Sequence, residues 1–402
     1  MRDVLVVGGG AVGLALASTL AASGLDVVVW ERRAAPEAVP GRAAAGTARP
    51  GHSRAIGLHA PALEVLHPDV AAHLTREAVQ VVRGVARTRE RVLGVVPFDR
   101  VSRRFPFVAT LPQVRTQEVL HAHAATVPGL ELVHGRALVG LHGSPGHVVA
   151  RAEDGGVEHA RFVVAADGAR SGVRDLLGVP APVHPYPDTY VMGDLADSTH
   201  AGSDAIIHLE HAGVVESFPL PGGLRRWVVH TGTGRGGKPT VSGASDAPTA
   251  ENLASLIEQR TGIAVDPGTC SMLSAFTVRR RLAARTVHGR VVLLGDAAHE
   301  ISPIGGQGMN LGWLDGARLA PVLLASVRGT ADDAATRVAL RRYDDARRRR
   351  ARWAARQAEL NMGLGRPVAG TAATVRDGVL RALLGSPARR GLASVYAMRH
   401  LR

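Results

Sequence analysis

The feature that most constrains the fold is the stretch "DVLVVGGGAVGLALASTLAASGLDVVVWERR", which begins at Asp3. Val4 to Val7 form a continuous apolar run, which is typical of a parallel strand buried on both faces. A cluster of glycines, a helical segment and a second apolar run at Val27 to Trp30 follow. This order predicts a strand–helix–strand unit of an α/β protein with a mostly parallel sheet.

The glycines of this unit have the spacing of a dinucleotide-binding turn. Gly8, Gly10 and Gly13 form the pattern G-x-G-x-x-G. The first glycine permits the tight turn, the second lets the backbone approach a pyrophosphate, and the third lets helix and strand pack closely. The helix that begins at Ala11 and Val12 would direct free N–H groups and its positive dipole end at the phosphates.

An acidic residue ends the second strand of the unit. Glu31 lies where a carboxylate would accept hydrogen bonds from the adenosine ribose, and Arg32 beside it is a further candidate for cofactor binding. The acid argues against a 2′-phosphate at this position, because the two negative charges would repel each other. A glycine turn alone is weak evidence, but this full context predicts a site for FAD or NAD and does not decide between them.

A second strand-end motif is found in "FVVAADGARSGVRDLLG". An apolar run ends at Asp167, and Arg170 and Ser171 follow at the head of a short helical segment. By itself the fragment is also consistent with an ordinary Asp-Gly turn followed by a serine helix cap.

A third buried strand is predicted in "GRVVLLGDAAHEISPIGGQGMNLG". Asp296 ends this strand, at the edge where open α/β sheets bind ligands, and would hydrogen-bond a ribityl hydroxyl there. Gly306 and Gly308 leave room for a flat ring against the backbone. The helix that begins near Met309 and Asn310 would direct its N–H groups at that ring and stabilise negative charge on it.

In this order and spacing the three motifs resemble those of the FAD-dependent aromatic hydroxylases, the para-hydroxybenzoate hydroxylase-like flavoprotein monooxygenases. Two weaker matches lie between them: Arg54 in "SRAIGLHAPALEVL" and Arg115 in "PQVRTQEVLHAH". Each arginine alone is typical of a surface charge, but in register with the motifs each falls where the family places an FAD contact. The resemblance implies that the second motif contacts both FAD and the nicotinamide cofactor.

The resemblance also implies a reaction. NADH or NADPH would reduce non-covalently bound FAD, O₂ would add at carbon 4a, and the flavin hydroperoxide would hydroxylate an electron-rich aromatic, quinol or polyketide-type small molecule. Pro303 corresponds to a proline in the loop beside the flavin ring. His299 is a candidate catalytic base, although its position inside the flavin motif favours a structural role.

The expected architecture is a Rossmann-type FAD-binding domain interleaved with an antiparallel-sheet substrate domain, followed by C-terminal helices. Short apolar runs broken by Gly and Pro predict the antiparallel sheet. The expected boundaries are 1–72, 108–180 and 275–325 for the FAD-binding domain, 73–107 and 181–274 for the substrate domain, and 326–402 for the helices.

The residues that would contact the substrate are the least constrained by the sequence. His208, Phe218, Arg225 and His230 lie on predicted strands of the substrate domain and are candidates for facing the ligand. Each is also consistent with an ordinary place in the core or on the surface.

Composition narrows the classes of protein that remain. No apolar run is long enough to span a bilayer, and the start lacks the build of a signal peptide. Cys270 is the single cysteine, which fits a reducing cytoplasm, and no metal-ligand spacing is present. We therefore expect a cytoplasmic protein without stable membrane insertion or bound metal, and a homodimer is one option for its assembly.

The formal net charge of +13 raises the alternative of a nucleic-acid-binding protein. Nearly all of this charge is arginine, however, and the densest run, residues 341–359, has acidic residues interleaved, which is typical of a solvated helix face. We expect no nucleic-acid partner. The closer alternative is an FAD-dependent reductase of the geranylgeranyl-reductase type, whose flavin site would have similar motifs.

Overall fold

A computed structural model describes residues 1–35, 55–233 and 248–401 of the 402-residue chain. Arg54, which the sequence resemblance places near the flavin, lies outside the described residues.

The strands fall into three sheets. In chain order they are β1 (Arg2–Val7), β2 (Val27–Glu31), β3 (Gly57–Leu58), β4 (Val79–Val81), β5 (Arg83–Arg87), β6 (Val92–Pro97), β7 (Val108–Thr110), β8 (Leu130–His134), β9 (Leu138–Ser144), β10 (His147–Ala152), β11 (Val157–Ala165), β12 (Val183–Ala196), β13 (Ala205–His208), β14 (Val215–Leu220), β15 (Leu224–Thr233), β16 (Met272–Leu282), β17 (Val287–His288), β18 (Val291–Leu293) and β19 (His299–Glu300).

The α-helices lie between the strands and at the C-terminal end of the described chain. They are α1 (Ala11–Ala22), α2 (Ala60–Leu63), α3 (Pro68–Glu77), α4 (Gln113–Ala124), α5 (Gly172–Leu176), α6 (Ala250–Thr261), α7 (Gln307–Val327), α8 (Asp333–Gly365), α9 (Thr371–Gly385) and α10 (Arg389–Tyr396). None of the helices in the described ranges combines the length and the apolar character needed to cross a membrane.

The first sheet is built on the three strands that the sequence motifs predicted. Its order is β17-β18-β11-β1-β2-β8, and the pairs β18–β11, β11–β1, β1–β2 and β2–β8 are parallel. Residues of α1, α7 and α8 pack on one face, and residues of β10 and α5 contribute to the core on the other. Because parallel strands end at the same edge, the three motifs meet at one edge of this sheet, and the mixed α/β architecture is confirmed.

The second sheet has the order β19-β16-β12-β15-β14-β13-β5-β6 and is antiparallel except for the pair β13–β5. The sequence boundary at residue 275 falls inside β16, which pairs with β12 over most of its length. Residues 73–107 are also divided, since β5 and β6 join the second sheet whereas β4 pairs with β7 in a third, three-stranded sheet. The division into FAD and substrate domains remains a proposal. The pairing of β12 with β16 extends across the proposed boundary at residue 275.

The two faces of the second sheet have different neighbours. Tyr190, Met192 and Val228 lie on what we call the inner face, where they form a cluster with Ile304 of the third motif and Met362 of α8. The opposite, outer face is covered by α6. The inner face therefore lies towards the glycine-rich loop that follows β19.

Helix α8 connects the two sheets. Its 33 residues correspond to a length of about 50 Å at the usual rise per residue. Leu340 and Tyr343 near its start pack in the core of the first sheet, whereas Met362 near its end packs on the inner face of the second.

Candidate functional site

A cavity of about 880 Å³ opens at the edge of the first sheet where the three motifs meet. Most of the predicted cofactor residues line it, together with Pro303. The lining residues from the prediction are Gly8, Gly10, Ala11, Val12, Glu31, Arg32, Asp167, Arg170, Asp296, Gly306, Gly308 and Met309.

The three glycines of the first motif meet different structural requirements. Gly8 has φ +109°, and a Cβ there would lie 2.4 Å from the Ala166 carbonyl oxygen. A Cβ on Gly13 would lie 2.0 Å from the Gly8 carbonyl oxygen. The nearest atom to a Cβ on Gly10, in contrast, is Gln117 Nε2 at 4.0 Å. The fold itself requires Gly8 and Gly13, whereas Gly10 leaves open space beside the cavity, as close approach of a ligand to the backbone would require.

Glu31 is a buried carboxylate at one end of the cavity. Its Oε2 accepts a hydrogen bond from Gly9 N at 2.8 Å, and its Oε1 accepts from Arg33 N at 2.9 Å and from Arg33 Nε at 3.0 Å. Burial acts to raise the pKa of Glu31, but these hydrogen bonds and the Arg33 charge outweigh it and lower the pKa. The ionised carboxylate is thus fixed in place as a hydrogen-bond acceptor.

Asp167 in the second motif has one oxygen in use and one free. Its Oδ2 accepts a hydrogen bond from Val173 N at 3.1 Å. Its Oδ1 is buried and has no partner among the described residues, although the residue lines the cavity. A buried carboxylate oxygen without a donor is costly, so this atom fits a hydroxyl group supplied by a ligand.

Arg174 holds the second motif against the third. It is buried, and its Nη1 and Nη2 donate to the carbonyls of Ala297 at 3.3 Å and Ala169 at 3.1 Å. Arg170 is exposed and lines the cavity. The second motif thus supplies a positive charge that remains free to meet an incoming anion.

Asp296 follows β18 and opens onto the cavity. The side chain is exposed to the cavity, and the protein around it raises the pKa of Asp296 by partial desolvation of the carboxylate. A Cβ on Gly308 would lie 3.7 Å from Asp296 Oδ1, so the third motif brings its acid and its glycines together as predicted.

Asn310 holds the glycine-rich loop in place. Its Nδ2 donates to the carbonyls of Gly57 at 2.8 Å and Gly306 at 2.7 Å, and its Oδ1 accepts from His59 N at 2.9 Å. Gly305 and Gly306 have φ of +92° and +65°, a region that favours glycine. Asn310 therefore acts through the backbone of the loop, and it is not among the residues that line the cavity.

His59 is a part of the site that the sequence did not reveal. It is buried, and its Nε2 lies 3.3 Å from the Gly305 carbonyl oxygen. Burial lowers the pKa of His59 to about 4, so the ring is neutral at pH 7. His59 lies in the stretch "SRAIGLHAPALEVL", which already matched the family. The stretch itself does not indicate that the histidine contacts a loop near residue 305.

The structure does not bring Arg115 to the cavity. Its Nε and Nη2 donate to Glu77 at 2.6 and 2.8 Å, and its Nη1 donates to Glu118 at 2.8 Å. Gln113 and Gln117 of the same helix line the cavity instead. The expected contact between Arg115 and FAD is therefore not supported, because acidic neighbours on α3 and α4 hold the guanidinium.

His299 is a structural residue in this fold. Its Nε2 lies 2.5 Å from Asp315 Oδ2, and Arg347 Nη1 lies 3.2 Å from Asp315 Oδ1, with all three side chains buried. Burial acts to lower the pKa of His299, but the Asp315 carboxylate more than offsets it and the pKa is raised. The residue does not line the large cavity. Of the two roles considered, the structural one agrees with this geometry and the catalytic one does not.

Two of the four substrate candidates lie on the outer face of the second sheet. His208 pairs with Val215, and Arg225 pairs with Leu195, and both partners belong to the core beneath α6 on the outer face. Arg225 is held by Asp197 at 3.1 Å and by Ser217 at 2.9 Å, and His208 is buried with its pKa lowered to about 4 by burial. Neither side chain faces the glycine-rich loop.

Phe218 and His230 lie on the inner face, but His230 is engaged in holding the structure together. Its Nε2 lies 3.3 Å from Asp188 Oδ1, and Arg366 binds both oxygens of Asp188 at 2.9 and 2.8 Å. Burial acts to raise the pKa of Asp188, but Arg366 and His230 outweigh it and lower the pKa to about 2. Phe218 is partly exposed and packs against the core that contains Met309.

Comparison with known proteins identifies the family. Residues 1–358 match the family model described as "FAD binding domain", and the chain belongs to this family. The chain is 33% identical over 341 residues to a rifampicin monooxygenase of Streptomyces venezuelae, covering 83% of the chain and 66% of that protein. It is 30% identical over 346 residues to a 12-dehydrotetracycline 5-monooxygenase/anhydrotetracycline 6-monooxygenase of Streptomyces rimosus, covering 82% of the chain and 64% of that protein. These alignments span slightly less than two thirds of each relative.

Solved structures confirm the fold. A p-nitrophenol 4-monooxygenase of Pseudomonas putida superposes with a TM-score of 0.81 at 24% identity, covering 100% of this chain and 98% of that one. An anhydrotetracycline hydroxylase of Streptomyces rimosus superposes with a TM-score of 0.74 at 27% identity, covering 98% of this chain and 75% of that one. The sequence resemblance to the flavoprotein aromatic hydroxylases is thereby confirmed.

Proposed function

We propose that the protein is an FAD-dependent monooxygenase that uses NADH or NADPH and O₂ to hydroxylate an electron-rich aromatic, quinol or polyketide-type small molecule. The observation that supports this most directly is the cavity that joins all three motifs and contains the unpartnered Asp167 Oδ1. When bound there, FAD would supply the redox chemistry, accepting a hydride from the nicotinamide and activating O₂ at carbon 4a.

The residues of the chain would bind and orient the cofactor. Gly10 admits the pyrophosphate beside the start of α1, and Glu31 accepts hydrogen bonds from the adenosine ribose. Asp167 Oδ1 and Asp296 accept hydrogen bonds from hydroxyl groups of the cofactor chain. Arg170 would meet the phosphates of the nicotinamide cofactor when it approaches the cavity.

The loop that follows β19 would support the flavin ring. Pro303 lines the cavity, and its carbonyl accepts a hydrogen bond from Gly306 N at 2.9 Å. Helix α7 begins at Gln307, and its positive dipole end favours negative charge on a ring placed beside Gly308 and Met309. The loop would thereby stabilise the reduced form of the ring.

The inner face of the second sheet would form the wall of the substrate pocket. It is apolar around Met192 and Val228, and it packs towards the loop that contains Ile304. An apolar wall next to a reactive cofactor both binds a flat organic ring and excludes water. The relatives that are named for rifampicin and tetracycline precursors make an aromatic polyketide a reasonable first substrate to test.

Isotope labelling tests this proposal. Phenols, quinols and polyketide aromatics are first screened for stimulation of NAD(P)H oxidation by the FAD-loaded protein. With ¹⁸O₂ and a stimulating substrate, we expect one labelled atom in the product per turnover, whereas without substrate the oxygen should leave mostly as peroxide. A product that is unlabelled and instead reduced or desaturated would contradict the proposal and favour the reductase of the geranylgeranyl-reductase type.

A further inference from the structure

Glu216 is a carboxylate on the inner face of the second sheet. It is the second residue of β14, where it pairs with Val228 on one side and Ile207 on the other. Its neighbours along the strand, Val215 and Ser217, are buried and alternate to the outer face. An acidic side chain therefore projects from an otherwise apolar part of the proposed pocket wall.

Glu216 lies among apolar side chains of the inner face. Its strand partners Val228 and Ile207 both belong to the inner-face cluster, and Glu216 itself retains accessible surface. Tyr190 of the same cluster lies on β12, two strands away. Tyr190 stacks on Phe276 with ring centroids 5.5 Å apart, and Phe276 lines the cavity described above. Glu216 thus lies on the same face of the sheet as a residue that lines the cofactor cavity.

Glu216 has no hydrogen bond or ion pair to any described residue, and burial raises its pKa to about 7. The other two carboxylates of the inner face on β12 are paired with basic groups: Asp194 binds Arg226 at 2.6 and 2.7 Å, and Asp188 is bound by Arg366 and His230. The Tyr190 hydroxyl is buried without a partner among the described residues. A carboxylate that lies among apolar side chains and has no protein donor is available to accept a hydrogen bond from a ligand.

We propose that Glu216 is the polar anchor of the substrate pocket, accepting a hydrogen bond from a phenolic hydroxyl and excluding aromatic substrates that carry a carboxylate at that position. This inference rests on the proposed function and specifies its substrate class. An anionic acceptor draws the hydroxyl proton towards itself and enriches the ring in electrons, which electrophilic hydroxylation requires. A substrate carboxylate would instead meet a like charge in a poorly solvated site.

Two probes that share one ring system test the inference. Binding of 1-naphthol and of 1-naphthoate to the FAD-loaded protein is followed by the change in flavin absorbance at about pH 8, above the pKa of Glu216, so that the carboxylate is ionised. The wild-type protein should prefer 1-naphthol. Glu216→Gln should weaken 1-naphthol binding by roughly tenfold or more, because a hydrogen bond to a charged group becomes a neutral one, and it should strengthen 1-naphthoate binding.

Two further variants separate this role from a structural one. Glu216→Asp keeps the charge on a shorter side chain, so it should weaken 1-naphthol binding while still excluding 1-naphthoate. Glu210→Gln is the matched control, since Glu210 is also a partly buried carboxylate beside the second sheet, but it accepts a hydrogen bond from Arg89 N at 2.5 Å. It should leave the preference between the two probes unchanged.

The result that overturns the inference is a wild-type protein without preference for 1-naphthol, or a preference that Glu216→Gln does not change. Failure of the proposed function would be recognised differently. If 1-naphthol bound through Glu216, but neither it nor any other phenol received an atom of ¹⁸O, then the hydroxylase proposal would be wrong and the binding role of Glu216 would stand.

Discussion

At the scale of single residues, Asp296 gives the most direct test of the cofactor site. Asp296→Ala removes an acceptor of a charge-assisted hydrogen bond, worth roughly 1.5–3 kcal/mol. We therefore expect FAD to bind at least about tenfold more weakly, as measured by titrating the apoprotein with FAD and following flavin fluorescence. Asp345→Ala, an exposed position on α8, is the control. An equal dissociation constant for both variants would mean that Asp296 does not contact the cofactor.

His299 predicts a dependence of stability on pH. Its pKa in the folded state is raised by Asp315, so it contributes stability that is fully present below its unfolded pKa of about 6.5 and is lost as the pH rises through the folded value. The difference in free energy of unfolding between wild type and His299→Gln should therefore shrink as the pH is raised above about 6.5. Urea unfolding across this range measures it.

His142→Gln, at an exposed histidine on β9, is the control for the His299 experiment and should show no such trend. A difference between wild type and His299→Gln that grew with pH would mean that the buried pair is not ionic.

The predicted site residues that lie at the cavity are those tied to a strand end or to a glycine turn. Their positions follow from local backbone geometry, as for Asp167 and Asp296. Arg115 does not line the cavity, because a motif predicts a helix but not the orientation of its faces. Gln113 and Gln117 are four residues apart and share a face, whereas Arg115 lies about 200° around the helix from each.

At the scale of elements, the turn between β1 and α1 makes opposite predictions for two of its glycines. Gly13→Ala should destabilise the fold, because its Cβ would lie 2.0 Å from the Gly8 carbonyl oxygen. Gly10→Val should fold but fail to bind FAD, because its side chain would occupy the space of the ligand. Thermal unfolding of the apoproteins and FAD content separate the two effects. A folded Gly10→Val variant with normal FAD content would show that the pyrophosphate lies elsewhere.

Strand alternation explains why the four substrate candidates are divided between the two faces of the second sheet. The sequence predicted the strands of the second sheet, but both faces of β14 and β15 carry polar residues, so the pattern does not reveal which face α6 covers. Arg225 and His208 are buried on the outer face, whereas Glu216 and His230 lie on the inner face. Assigning the faces requires the long-range packing of α6 and α8, which no local pattern encodes.

At the scale of the whole molecule, Arg366 anchors the end of α8 to the second sheet. Arg366→Ala leaves the fully buried Asp188 with His230 as its remaining side-chain partner among the described residues. Breaking a buried pair costs roughly 3–5 kcal/mol, and the partial exposure of Arg366 argues for the lower end of that range. Arg356→Ala, at an exposed arginine of the same helix, should have little effect. Equal unfolding midpoints in denaturant would show that α8 is held by apolar packing alone.

The pairing of β16 with β19 has a consequence for recombining proteins of this family. Leu282 pairs with His299 and Arg281 with Glu300, so the last strands of the second sheet run directly into the third motif. A chimera that exchanged residues 181–274 with those of a relative would change from one protein to the other after the first residues of β16. The paired strands β12, β16 and β19 would then come from two different proteins. If the crossover is moved beyond the third motif, into the turn between α7 and α8, all three strands come from the same protein. We therefore expect substrate specificity in such hybrids to be inherited together with the loop of the third motif.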